Sequence, residues 1–285
     1  MKTDNLSSPA VIKNILAERG LMPKKGLGQN FLIDKNILRK IAESAAEDGN
    51  RRVIEIGPGL GALTQALIEA GLRPACVEAD GTLEEHLRDF FGDDIDLIFG
   101  DFLKIDTDSL FGSEKATVVG NLPYYITTPI ITKLIENRDK VKSVTMMIQR
   151  EVADRLRSAP GSSDYGSLTL FVRYYCDVKS VVKVSRNVFY PVPKVDSEVL
   201  KLTMRDTGAV ETSDEKLMFD IIRSAFGKRR KTVLNALANS EYLLWTKDFA
   251  AEVLAKTGID EKIRGEKLDL GDFAALANTA RELLG

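Results

Sequence analysis

Residues 52–64 read RVIEIGPGLGALT. Val53, Ile54 and Ile56 make a short apolar run, and Gly57, Gly59 and Gly61 follow at once. Leu63, Leu67 and Ile68 then recur at helical spacing. A buried strand that turns through glycines into a helix is the opening unit of a parallel α/β sheet. Glycine lets the backbone turn sharply and meet a ligand where any Cβ would intrude. The loop lies at the carboxyl end of its strand, where doubly wound sheets bind nucleotides.

The same alternation continues on both sides. Asp34 is placed to cap a helix that carries Ile37, Leu38, Ile41 and Ala45 on one side. Further strands are expected at Ala75–Glu78, Asp96–Phe99, Thr117–Val119 and Val144–Ile148, with helical segments between most of them. After Gly166 a helix over Ser167–Tyr175 precedes two β-rich runs, Val178–Ser185 and Ser197–Thr203. The loop RNVFYPVPKVD (186–196) joins these runs, and its prolines exclude a regular helix. Beyond Arg205 strand patterns end, and Ser213–Ala238, Lys247–Lys256 and Gly271–Leu284 read as helices. The expected fold is α/β, a Rossmann-like seven-stranded sheet with a small all-helical C-terminal domain. The boundary is expected between a domain of residues 1–205, with an N-terminal helical extension, and a domain of residues 206–285.

Composition narrows the classes of function. The 285 residues carry a net charge of −2, so any polyanion would have to meet a patch and not the whole surface. Such patches exist: Met1–Arg52 has 10 Lys/Arg against 6 Asp/Glu, and Lys216–Lys231 has 6 against 1, ending in Lys228-Arg229-Arg230-Lys231. No apolar run is long enough to cross a bilayer, and the first residues lack the apolar stretch of a signal peptide. They read instead as an amphipathic helix with Val11, Ile12, Ile15 and Leu16 on one face. Cys76 and Cys176 belong to no metal-spaced cluster, so reduced thiols in a cytosolic protein are expected. The single histidine, His86, reads as a helix-surface residue, which leaves a His-based triad or zinc site without support.

Glycine spacing separates two cofactor classes. A dinucleotide fingerprint needs G-x-G-x-x-G facing a pyrophosphate. Here the order is G-x-G-x-G, with Glu55 two residues before the first glycine. An acidic, close-packed loop suits the sulfonium cation of S-adenosylmethionine better than it suits pyrophosphate. Glu78 ends the second strand, where a carboxylate can accept both ribose hydroxyls. Asp101, after the third strand, is placed to accept from an adenine amine, with Phe102 close to the ring. Each acid alone reads as a surface residue or turn. Together, at successive strand ends, they favour S-adenosylmethionine and the methyltransferase variant of the doubly wound sheet.

Gly120-Asn121-Leu122-Pro123-Tyr124 follows the fourth strand. The exocyclic nitrogen of adenine is a poor nucleophile because its lone pair is delocalised into the ring. Accepting both amine hydrogens localises that pair towards an incoming methyl group. The Asn121 side-chain oxygen and the Leu122 carbonyl can supply the two acceptors. Pro123 stiffens the turn, and Tyr124 offers a ring on which a base can stack. Alone the segment reads as an Asn-x-Pro turn.

The ordered segments KKGLGQNFLID (24–34), VIEIGPGLGALT (53–64), VEAD (77–80), GDFLKID (100–106), GNLPYYITTP (120–129), QREVADRL (149–156), YGSLTLFVRYY (165–175) and FYPVPKVDSEV (189–199) resemble the ribosomal RNA adenine dimethyltransferase family. The resemblance runs from about Lys24 to Leu202 and more thinly beyond. It implies dimethylation of two adjacent adenines near the 3′ end of small-subunit ribosomal RNA, the expected partner being an immature 30S subunit; nothing in the sequence suggests a metal or an obligate dimer, so a metal-free monomer is expected. The resemblance further implies that Asn30 and Leu32 close over the methionine end of the cofactor and that Gly57 lines the loop. Glu78 would hold the ribose, Asp101 the adenine, and Asn121 would sit between cofactor and target amine. Phe189 would pack against the flipped base opposite Tyr124; without the resemblance it reads as a core aromatic. The family also carries a basic RNA contact where Lys228–Lys231 stand, although the region from Asp206 to Gly285 has 14 Asp/Glu against 12 Lys/Arg.

Three rival readings remain at this level. A resistance enzyme acting on large-subunit RNA would share the site and chemistry, but Leu122 and YPVPKVDSEV (190–199) fit the small-subunit enzyme better. A ribosome assembly factor with a mainly structural role would not need both motifs intact. A nicotinamide-dependent oxidoreductase fails on glycine spacing.

Overall fold

The computed structural model describes residues 5–112, 114–228 and 230–285. Seven strands form one sheet: β1 (Arg52–Ile56), β2 (Arg73–Glu78), β3 (Asp96–Phe99), β4 (Ala116–Asn121), β5 (Val141–Gln149), β6 (Cys176–Val184) and β7 (Ser197–Met204). Their spatial order is β3-β2-β1-β4-β5-β7-β6. The first five run parallel, and β7 pairs antiparallel with β5. Val53, Ile54, Val118 and Val119 are wholly buried, as strands covered on both faces require.

Register decides where the loops emerge. Ile56 lies opposite Val77 on one side and Gly120 on the other, and Glu78 lies opposite Phe99. The carboxyl ends of β1, β2, β3 and β4 are therefore level. The order reverses between β1 and β4, the crevice where such sheets take ligands.

Helices flank the sheet as the periodicity predicts. The first three are α1 (Pro9–Glu18), α2 (Lys35–Ala46) and α3 (Ala62–Glu69). Asp34 caps α2 by accepting from the backbone N–H groups of Asn36 (2.9 Å) and Ile37 (3.1 Å). Gly61 caps α3 at φ +89°, and a Cβ there would lie 2.3 Å from the Phe91 ring. Only glycine satisfies both constraints. In α1, Ile12 and Leu16 are buried and pack, with Leu6, among Phe31, Leu60 and Phe91. The N-terminal extension is thus part of the core around the glycine loop. Among the described residues no helix is long and apolar enough to cross a membrane.

His86 departs from its expected surface position. It lies on α4 (Glu84–Phe91), is 2 % exposed, and its Nε2 is 3.0 Å from the Leu60 carbonyl oxygen. Its neighbours at helical spacing, Leu83 and Phe90, place it on the buried face. The carbonyl supplies the partner that a buried imidazole needs.

Packing divides the chain into two units, Met1–Ala153 with Asp177–Met204, and Asp154–Cys176 with Arg205–Gly285. The sequence suggests one cut after residue 205. The second unit instead also takes the segment that contains the helix Ser167–Tyr175. Aromatic contacts explain this: Phe171, Tyr174 and Tyr175 each meet Phe219 with ring centroids 5.4–5.7 Å apart. Tyr165, within the same segment, donates to the Leu268 carbonyl (2.9 Å).

The continuous helix expected over Ser213–Ala238 is two helices, Glu215–Gly227 and Val233–Ala238. The break falls in the basic run. Thr232 caps the second helix by accepting from the Asn235 N–H. Arg229 lies outside the described residues.

Candidate active site

One cleft gathers the level strand ends, enclosing about 1050 Å³ including its open mouth. Asn30, Leu32, Gly57, Glu78, Asp101 and Asn121, all expected at the site, line it together. Ile12 of α1, Glu55, Phe102 and Tyr125 line it as well.

At the glycine loop, Gly57 has φ +71°, and a Cβ built there meets no atom within 4 Å. That side of the loop faces open space. Glu55 is 1 % exposed; its Oε2 accepts from the Thr64 hydroxyl (2.7 Å), while among the described residues its Oε1 has no partner. Burial raises its carboxyl to about 7, opposed by hydrogen bonds from Thr64 and Cys76 and reinforced by the charge of Glu78. A buried acidic oxygen without a donor calls for a cation or a proton.

Glu78 is held by the loop that it faces. Its Oε2 accepts from the Gly59 N–H (3.0 Å) and its Oε1 from the Asp80 N–H (2.8 Å). Burial raises its pKa, and these backbone donors counter the rise. Each oxygen retains a second lone pair for a ligand hydroxyl. Asp80, which sequence reasoning did not single out, accepts from Lys24 Nζ (2.5 Å) and Gln29 Nε2 (2.8 Å). Burial works against its ionisation, but those contacts and Thr82 bring its pKa down to about 2. The clamp ties the segment before Asn30 to the end of β2.

Asp101 follows Gly100 in the loop after β3. Its Oδ1 accepts from the Leu103 N–H (3.0 Å), and its side chain is 42 % exposed. Phe102 beside it is buried.

At the end of β4, Asn121 Nδ2 donates to the Asn30 carbonyl (3.0 Å). This bond fixes the amide orientation. Among the described residues no donor reaches Asn121 Oδ1 or the Leu122 carbonyl. Leu122 itself is buried, and its N–H donates to the Met147 carbonyl (3.2 Å). Tyr124 is anchored through its hydroxyl, 2.9 Å from Ser197 Oγ, whereas Tyr125 is 59 % exposed at the cleft.

Phe189 stands elsewhere. It is 1 % exposed, pairs with Leu32 across a two-residue antiparallel bridge and packs in the apolar cluster of α2, outside the cleft lining. The resemblance alone places Phe189 at the site; its neighbours Val188 and Tyr190 carry the sequence signal for burial.

The residues present suit S-adenosylmethionine: an orphaned buried carboxylate oxygen near a glycine loop that leaves open space at Gly57, a buried acid one strand away, and a half-exposed acid beside an aromatic ring.

Comparison with known proteins identifies relatives over nearly the whole chain. The family described as ribosomal RNA adenine dimethylase matches residues 21–282. The chain is 44% identical to "Ribosomal RNA small subunit methyltransferase A" of Alkaliphilus oremlandii, over 99% of this chain and 100% of that protein. It is 44% identical to the protein of the same name from Geobacillus thermodenitrificans, over 98% of each. Among solved structures, a dimethyladenosine transferase from Plasmodium falciparum aligns with TM-score 0.70 and 28% identity, covering 86% of this chain and 95% of that one. The 23S rRNA methyltransferase ErmE aligns with TM-score 0.68 and 25% identity, covering 88% and 99%. With this sheet order, these strand-end residues and a match over nearly its whole length, the chain belongs to the ribosomal RNA adenine dimethylase family.

Proposed function

We propose that the chain transfers methyl groups from S-adenosylmethionine to the exocyclic amines of two adjacent adenines near the 3′ end of small-subunit ribosomal RNA, on an immature subunit. The observation that carries this reading is the Asn30–Asn121 hydrogen bond, which leaves Asn121 Oδ1 free to accept. The small-subunit assignment is supported by full-length relatives of that name. Fold alone does not favour it, since ErmE aligns almost as well as the dimethyladenosine transferase.

Glu78 would hold the ribose and Asp101 the adenine amine, with Asn30, Leu32, Gly57 and the free oxygen of Glu55 at the methionine end. When bound, the cofactor supplies a methyl group activated by an adjacent sulfonium. Asn121 Oδ1 and the Leu122 carbonyl accept the two hydrogens of the target amine and draw its lone pair out of conjugation. Tyr124, fixed by Ser197, gives the base a ring to stack on, which offsets part of the cost of unstacking it. Phe189 supports Leu32 from below and is not itself a free stacking face. The amine proton becomes acidic once the nitrogen is alkylated, so no side-chain base has to act first.

Asn121→Ala tests the mechanism. Cofactor affinity by calorimetry stays within about threefold, while kcat falls on the order of 100-fold, the cost of one preorganised acceptor. Wild-type turnover by this variant overturns the proposed role.

A further inference from the structure

The helix that follows Asn121-Leu122-Pro123-Tyr124, α5 (Thr127–Glu136), begins four residues after Pro123. On it, half-buried Lys133 directs its ammonium into the turn after β3. Nζ donates to the carbonyls of Phe102 (2.8 Å), Leu103 (3.1 Å) and Ile105 (2.7 Å), which accounts for all three of its N–H bonds. It also lies 5.3 Å from the centroid of the Phe102 ring. A second tether runs alongside, as the Thr107 hydroxyl donates to Asn137 Oδ1 (2.9 Å) and Asn137 Nδ2 donates to the Lys133 carbonyl (2.8 Å). Asp101 belongs to the same turn: its own carbonyl accepts from the N–H groups of Lys104 (2.8 Å) and Ile105 (3.1 Å).

Three carbonyl oxygens converging on one point repel each other unless a cation sits among them. With the ammonium removed, the turn has to open or admit water. Burial pulls the Lys133 pKa down, and Asp101 and Asp106 pull it back up. Gly100, Asp101 and Phe102 are the residues of the turn that line the cleft.

We propose that Lys133 is a positioning residue for cofactor selectivity: by gathering the carbonyls of Phe102, Leu103 and Ile105 it fixes the turn that presents Asp101 to the 6-amino group of the cofactor's adenine. The same side chain joins the helix behind the target-amine segment to the adenine turn. This inference rests on the reading of Asp101 given above.

The test compares calorimetric binding of S-adenosylhomocysteine with that of its analogue lacking the 6-amino group, in wild type, Lys133→Met, Lys133→Arg and Asp101→Ala. Wild type prefers the amine-bearing ligand by roughly tenfold or more, the size of one hydrogen bond to a charged acceptor. Lys133→Met loses this preference to within about threefold although its Asp101 is intact, and Lys133→Arg, which keeps a cation among the carbonyls, restores most of it. A purely structural role would weaken both ligands equally and leave the ratio unchanged. If Lys133→Met keeps the wild-type ratio while Asp101→Ala loses it, the role of Lys133 is refuted and that of Asp101 stands. If Asp101→Ala itself keeps the ratio, the adenine reading falls and this proposal with it.

Discussion

Glu55 gives the cofactor-free protein a dependence on pH that one substitution should erase. Its carboxyl is fully enclosed, and burial raises its pKa from 4.5 to about 7 against the pull of Thr64 and Cys76. The folded protein therefore holds this proton more tightly than the unfolded chain does. The contribution is fully present below about pH 4.5 and is lost as pH rises to about 7. A gap of this size corresponds to on the order of 3 kcal/mol of unfolding free energy. Glu55→Gln keeps an acceptor for Thr64 and Cys76 but cannot ionise. Denaturant unfolding of both cofactor-free proteins from pH 5 to pH 8 should show wild type losing stability relative to the variant across that window. Titrating groups not coupled to Glu55 are common to the pair and cancel in the difference, leaving Glu55 and its neighbour Glu78 as the source of the divergence. Profiles parallel to within about 1 kcal/mol would refute the reasoning, because the predicted divergence exceeds that. A sulfonium ligand beside the free oxygen favours ionisation, so binding at pH 6 should also release a proton.

Two further outcomes follow from the same geometry. Phe189→Ala should cost about 3–5 kcal/mol in denaturant unfolding, because a large side chain is removed from a filled cluster; an unchanged midpoint would return Phe189 to the role of a free base-stacking face. Glu78→Gln keeps an acceptor for the Gly59 N–H but loses the charge, and should weaken S-adenosylmethionine binding roughly 10- to 100-fold, one charge-assisted hydrogen bond to ribose; calorimetry that returns wild-type affinity removes Glu78 from the cofactor site.

The features legible in the sequence were the local ones. Asp34 announces its helix because a cap is a contact over three residues. The apolar run ending at Ile56, with the glycines behind it, announces a strand, loop and helix. Glu78, Asp101 and Asn121 follow strands, so parallel register alone brings them level. What stayed hidden depends on partners far along the chain. The partner of His86 is a carbonyl 26 residues away, although the spacing of Leu83 and Phe90 carried a usable hint. Nothing near Ser167–Tyr175 says that Phe219 will claim it in preference to the sheet. The three carbonyls that hold Lys133 come from a turn about thirty residues earlier. Sequence spacing cannot reveal such convergence.

The most direct test supplies the protein with S-adenosylmethionine carrying a labelled methyl group, together with undermethylated small or large ribosomal subunits in separate reactions, and then maps the labelled bases. Label is expected at two adjacent adenines near the 3′ end of small-subunit RNA, each carrying two methyl groups on its exocyclic nitrogen. Label confined to large-subunit RNA, or absent from both, would contradict this expectation.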